Sequence, residues 1–184
     1  MSIQRCSWAE GNPLLRKYHD VEWGVPVHND QHLFEMLNLE GAQSGLSWLT
    51  ILTRRDGYRR AFDDFDVRKI AKYGKSKKMA LLQDEGIIRN RLKINACIEN
   101  AKTTLVIQQT GSLDAYLWGY VGMRKLTYAT HDEAVEISIS MSKGAKKDGF
   151  HFLGPTTCYA FMQAVGMIND HTLECFRYRE LLRG

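Results

Sequence analysis

The stretch LFEMLNLEGAQSGLSWLTIL, residues 33–52, decides how the chain is read. Leu33, Met36 and Leu37 fall at helical spacing, yet the next position on that face is Glu40, followed by Gly41 and Gly45. A carboxylate buried without a partner costs several kcal/mol, and glycine inside a helix costs about 1 kcal/mol relative to alanine. Something must offset both. The stretch predicts helices over about 31–41 and 45–55, with Gly41 ending the first.

The same period runs outward through the chain. After an irregular N-terminal segment through Asp30, short helices fit Tyr58–Phe62 and Val67–Tyr73, and LLQDEGIIRNRLKINACIENAKTTL predicts a turn at Gly86 before a long helix. That helix carries Ile94, Ile98, Ala101 and Leu105 on one face. SLDAYLWGYV gives Leu113, Tyr116, Leu117 and Tyr120 at helical spacing, and GMRKLTYA after it reads as irregular. Thr130 with Glu133 forms a capping box, although EISISM within that helix also alternates like a strand. FLGPTTCYAFMQAVG places Pro155 at a first helical position, and NDHTLEC begins a last short helix. With three prolines and no internal repeat, the chain reads as all-α and as a single domain over 1–184, or two small lobes sharing a core.

Composition excludes some classes. A hydrophobic content of 44% supports a packed core and argues against disorder, and the balance of 25 Lys and Arg against 21 Asp and Glu is compatible with a polyanionic partner without demanding one. No apolar run approaches the roughly 20 residues that span a bilayer, and MSIQRCSWAEGNP lacks the apolar core of a signal peptide. A cytoplasmic protein is expected, or a nuclear one in a nucleated host, without a membrane partner. In that reducing compartment Cys6, Cys97, Cys158 and Cys175 favour metal ligation or burial over disulfides.

Three constellations could carry chemistry. His171 and Cys175, four apart on a helix, would present both side chains to one ion, and Cys6 with His19 would complete a closed Cys2His2 site joining the chain ends. Ordinary thiols and histidines remain the alternative. Basic residues gather in RRDGYRR and RKIAKYGKSKK, which solvated helix faces also explain; an anion would need backbone donors, offered by the turn at Gly86 or by FLGPTT with Thr156 and Thr157. Trp8, Tyr18, Trp23 and Trp48 crowd the first third around Glu40, either as a core or as aromatic walls for a flat cationic ligand.

Taken together, WAEGNPLLRKYHDVEWGVP, LFEMLNLEGAQSGLSWLTIL, EGIIRNRLKI and GFHFLGPTTCYAFMQAVGMINDH resemble, in order and spacing, the 3-methyladenine DNA glycosylase I family. The resemblance runs from Cys6 to about Cys175. It implies a monomeric helix-hairpin-helix enzyme that excises 3-methyladenine from alkylated double-stranded DNA. It also implies structural zinc on Cys6, His19, His171 and Cys175, and a hairpin at FLGPTT whose Gly154, Thr156 and Thr157 meet phosphate. The base pocket falls on Glu40, Tyr18, Trp48 and Trp8, with Glu40 also the candidate for catalysis. Gly45 and Leu46 become a wedge filling the gap left by the flipped base, Leu46 as a core residue being the alternative. FLGPTT lacks the lysine of strand-cleaving relatives, so a monofunctional enzyme without AP lyase activity is expected. Asp170 is expected to cap a helix or support the metal. The main rival is a zinc-stapled damage-binding module without catalysis; a zinc hydrolase fits poorly, because protein would fill every metal position.

Overall fold

The computed structural model describes residues 3–126 and 130–183. Eleven α-helices and three short 3₁₀ turns make up the described secondary structure, with no strand among the described residues beyond an isolated bridge between Leu126 and Ile168. The expected all-α architecture is therefore observed. In chain order the helices are α1 (Pro13–Val21), α2 (Asp30–Gln43), α3 (Trp48–Leu52), α4 (Arg55–Ala61), α5 (Val67–Ile70), α6 (Lys75–Gln83), α7 (Arg91–Ile107), α8 (Leu113–Trp118), α9 (His131–Asp148), α10 (Pro155–Ala164) and α11 (Phe176–Arg183).

Local chemistry explains most helix starts. Asn12, Asn29, Ser47, Asp66, Asn90 and Ser112 each accept a backbone N–H of the first turn that follows, a contact worth about 1 kcal/mol apiece. Thr130 and Glu133 form the reciprocal capping box of α9, and that helix runs straight through EISISM. The end of GMRKLTYA, residues 127–129, lies outside the described residues.

α2 is the axis of the molecule. Leu33 through Ala42 are all buried, and α3, α7, α8 and α10 pack around it. Burial on every side admits three polar side chains, and their fates differ. Glu35 accepts from Arg55 Nε at 2.8 Å and Arg59 Nε at 2.9 Å. Asn38 donates to the Phe34 carbonyl at 2.8 Å and accepts from Asn100 Nδ2 at 3.0 Å. Glu40, only 5% exposed, has burial as the sole influence on its titration and pairs with no described residue.

The connection from α9 to α10 is a hairpin pinned from behind. Thr103 donates to the Gly149 carbonyl at 3.2 Å, Asn100 to the His151 carbonyl at 3.2 Å, and Ser142 to the Leu153 carbonyl at 2.7 Å. Asn100 also accepts the His151 N–H at 2.7 Å, so alternate carbonyls face inward; Phe150 and Leu153 are buried in the core, and His151 and Phe152 are exposed.

Four expectations need correction. The N-terminal segment is not irregular throughout, because it contains α1; the buried positions of that helix are Tyr18 and His19 rather than aliphatics, which leaves no apolar period to read. Gly41 does not end α2, which continues to Gln43; a Cβ there would lie 3.3 Å from Phe152 Cβ, so this glycine admits the hairpin rather than breaking a helix. The second helix starts at Trp48 instead of 45, since Gly45 at φ +78° belongs to a turn and Ser47 supplies the cap. The last helix begins at Phe176, so His171 and Cys175 sit on the turn before it, closed by the Cys175 N–H to the Thr172 carbonyl at 2.9 Å.

Candidate functional site

Four elements converge on one cavity of about 470 Å³. Its lining includes Trp8 from the 3₁₀ turn Ser7–Ala9, Tyr18 from α1, Glu40 from α2 and Trp48 from α3. The Tyr18 ring sits 5.3 Å from Trp48 and 6.4 Å from Trp8, both tilted, so the rings form walls rather than a closed stack. Trp8 is 38% exposed and stands at the rim, whereas Trp23 behind it is buried. The buried Trp48 Nε1–H has no partner among the described residues.

Electrostatics single out one group in this cavity. Burial pushes the Glu40 carboxyl up to about 8. Tyr18 is raised well above its usual value by burial first and then by Glu40 itself, so its phenol stays neutral. A protonated carboxyl and a phenol between aromatic walls suit a flat ligand with hydrogen-bonding edges, and a cationic ligand would draw the Glu40 proton off.

Behind the aromatic walls lies a second cluster. The ligand atoms of Cys6, His19, His171 and Cys175 all lie within 4.8 Å of one another, and all four residues are buried. Cys6 Sγ is 3.6 Å from His171 Nδ1; Cys175 Sγ is 3.5 Å from that nitrogen and 3.4 Å from His19 Nε2. The outer nitrogens are engaged elsewhere, His19 Nδ1 with Asp20 Oδ1 at 2.8 Å and His171 Nε2 with the Trp23 carbonyl at 3.2 Å. Both bonds leave the inner nitrogen of each ring unprotonated, and His19 Nε2 accepts the Cys6 N–H at 3.4 Å. Burial lowers His171 to about 4, against the pull of the Trp23 carbonyl, so it is neutral. This cluster could hold a metal ion. It stands next to the cavity: Trp23 contacts Trp8 edge-on at 5.0 Å and His171 edge-on at 4.5 Å.

Gly45 and Leu46 lie on the turn between α2 and α3, flanked by the cavity-lining Gln43 and Ser47. Leu46 is 39% exposed, which removes the core alternative. Gly154 caps α10 without a side-chain hydrogen bond, and exposed Thr156 with half-buried Thr157 follows in the first turn. Phe152 against Gly41 sets this hairpin beside the end of α2.

Sequence reasoning passed over several residues. Asp20 holds His19 and is itself gripped by Arg5 through contacts of 2.9 and 2.8 Å; burial alone would raise its carboxyl, but the bonds from Arg5 and His19 hold it below the usual range. A carboxylate next to a candidate ligand histidine was the available signal. Gln43 and Gln163 line the cavity, and as neutral amides they gave no signal. Asp170 neither caps α11 nor touches the cluster; it accepts from Gln163 and, at 3.4 Å, from Tyr159, at the edge of the cavity.

An aromatic cavity around one buried carboxyl, mounted on a helical scaffold, defines the class of a small-ligand or base-binding helical protein. The methyladenine glycosylase family matches residues 8–178, and the chain belongs to that family. It is 44% identical over 182 residues to DNA-3-methyladenine glycosylase 1 of Escherichia coli K12, covering 96% of this chain and 97% of that protein. A crystal structure of 3-methyladenine DNA glycosylase I superposes with a TM-score of 0.88 at 44% identity, covering 94% of this chain and 98% of the other. The Staphylococcus aureus enzyme, solved to explain 3-methyladenine recognition, superposes at 0.87 with 34% identity, covering 96% and 97% of the two chains.

Proposed function

We propose that this protein is a monofunctional DNA glycosylase that hydrolyses the N-glycosidic bond of 3-methyladenine in alkylated duplex DNA. The observation that carries the reading is Glu40, the one buried polar side chain of α2 that pairs with no described residue, set in the wall of an aromatic cavity. A membrane role has no support, since no described helix is long and apolar enough to cross a bilayer. The protein acts as a monomer, in the cytoplasm.

The chemistry follows from the substrate's charge. 3-Methyladenine in DNA is a cation, so breaking C1′–N9 sends the bonding pair to N9 and releases a neutral base without prior protonation. The sugar cation left behind takes up water at C1′, and loss of a proton gives the abasic site. The protein therefore has to extrude the base, recognise it and admit water. At pH 7 the Glu40 carboxyl, with its value near 8, is protonated in roughly nine molecules of ten. A cationic purine favours the ionised form, so binding expels that proton and leaves a carboxylate paired with the base. Neutral adenine cannot drive this exchange, which gives selectivity. Tyr18, Trp48 and Trp8 supply stacking surface. Such pockets work by preorganised electrostatics, so Glu40 acts through charge during bond cleavage as well as in recognition.

Gly45 and exposed Leu46 form the wedge that fills the emptied stack. The helix-hairpin-helix unit is α9, residues 149–154 and α10, and its first-turn N–H groups at Thr156 and Thr157, with Gly154, donate to a backbone phosphate. The hairpin carries no lysine, so no Schiff base forms and the strand stays intact.

The clustered residues fit zinc. Tetrahedral Zn–S and Zn–N bonds of about 2.3 and 2.0 Å give S···N edges near 3.5 Å, against the 3.4–3.6 Å seen here. Cys6, His19, His171 and Cys175 would hold the ion, which supplies structural cross-linking because protein fills every coordination position. Incubation with methylated duplex followed by base analysis tests the function. Free 3-methyladenine and an alkali-labile but uncut strand are expected; DNA binding with no base released would leave a damage-binding module instead.

A further inference from the structure

Residues 67–83, VRKIAKYGKSKKMALLQ, hold six lysines and arginines and no acid. The second half of this run, from Tyr73 to Leu82, forms one wall of a second cavity, of about 410 Å³, in the groove between α6 and α7, with Lys75 and Lys78 the cations of the run that line it. From α6 come Lys75, Lys78, Met79 and Leu82, at i, i+3, i+4 and i+7 and hence on one face; from α7 come Arg91, Ile94 and Asn95, again on one face. Tyr73 closes one end, its hydroxyl spent on Asp63 and its half-buried ring flanked by Phe62 and by the Lys77 ammonium, 5.0 Å from the ring centre. The floor is therefore apolar and the rim cationic, and Met79 stands 52% exposed. Lys75, Lys78 and Arg91 form no ion pair among the described residues.

Two features argue that an anionic partner is missing. Lys75, Lys77 and Lys78 crowd the first turn of a helix that has no acid of its own there and no side-chain cap; Lys77 pairs with Asp63 at 4.0 Å, which leaves Lys75 and Lys78 opposing the helix dipole unless negative charge is supplied from outside. Apolar floor between the cations is of no use to a phosphate backbone but matches the buried face of an amphipathic segment. Orientation separates the groove from the wedge. Lys93 points at the turn carrying Gly45, donating to the Ala42 and Ser44 carbonyls at 2.8 and 2.7 Å. At 100° per residue, Arg91 and Asn95 lie roughly 200° around α7 from it.

We infer that the α6–α7 groove docks an acidic amphipathic segment of another protein, its apolar side chains on Met79, Leu82 and Tyr73 and its carboxylates on Lys75, Lys78 and Arg91. The test uses the intact protein and a fluorescein-labelled peptide of Asp and Glu with Leu and Phe four positions apart, followed by anisotropy. Saturable binding is expected, weakened at least roughly tenfold by Lys75→Glu with Lys78→Glu and equally by replacing both anchors with Ser. The double variant places acids at the positive end of α6, so it should fold at least as well as the parent, and 3-methyladenine release should stay within about twofold of the parent rate. Peptide binding is read independently of excision, so failure of one leaves the other standing. Absent or undiminished peptide binding overturns the inference. So does displacement of the peptide by unmethylated duplex together with lost duplex affinity in the double variant, which would assign the groove to nucleic acid.

Discussion

Glu40→Gln should make the protein more stable in mildly alkaline solution while disabling it. The Glu40 carboxyl is raised from 4.5 to about 8 by burial, so between these values the folded state holds a proton that the unfolded state has lost. A group raised in this way contributes stability that is full below pH 4.5 and declines as pH rises towards 8. At about 1.4 kcal/mol per unit the loss is on the order of 5 kcal/mol, an upper figure because a buried site relaxes and admits water. Glutamine keeps the shape without the proton, so the variant is spared this loss. Urea denaturation of both proteins at pH 5, 6, 7 and 8 measures it. The difference between them cancels the titration of the cysteines and histidines, which both proteins share. We expect the gap to move in favour of the variant by about 2–3.5 kcal/mol between pH 5 and 8, the remainder of the loss falling outside this window. Parallel stability curves across this range would refute the claim that Glu40 is buried without a partner.

The remaining predictions concern the scaffold and the DNA face. Purified protein should carry about one zinc per chain, and Cys175→Ser should remove it and cost several kcal/mol, seen as a fall of roughly 10 °C or more in thermal midpoint; a metal-free protein of unchanged midpoint contradicts the clamp. Leu46→Ala should slow release from duplex roughly tenfold or more with the midpoint moved by less than about 2 °C, whereas a core role predicts the opposite pattern. Gly57→Ala places a Cβ 2.2 Å from the Gly86 carbonyl oxygen, and because backbone must yield, we expect a loss of about 2–4 kcal/mol in urea unfolding. A smaller loss would mean the contact between α4 and the Gly86 turn is soft.

How much of this was legible in the sequence depended on what each residue had to satisfy. α7, α9 and α10 announce themselves through apolar period and caps, and they form close to where expected. α1 does not, because the residues it buries serve the cavity and the cluster instead of the core. Gly41 and Gly45 both looked like breakers, yet one sits inside a helix and the other in a left-handed turn. That distinction depends on Phe152, more than a hundred residues away. The four clustered Cys and His residues could be named from spacing and resemblance. The tautomers could not, since they are set by Asp20 and a carbonyl of Trp23.

The central claim is that Glu40 works on the base through its charge, and single-turnover release of 3-methyladenine from methylated duplex tests it most directly. Glu40→Gln should bind unmethylated duplex as the parent does, bind the methylated duplex more weakly, and at saturating protein release the base roughly 100-fold or more slowly. Equal release rates at equal occupancy would contradict the account.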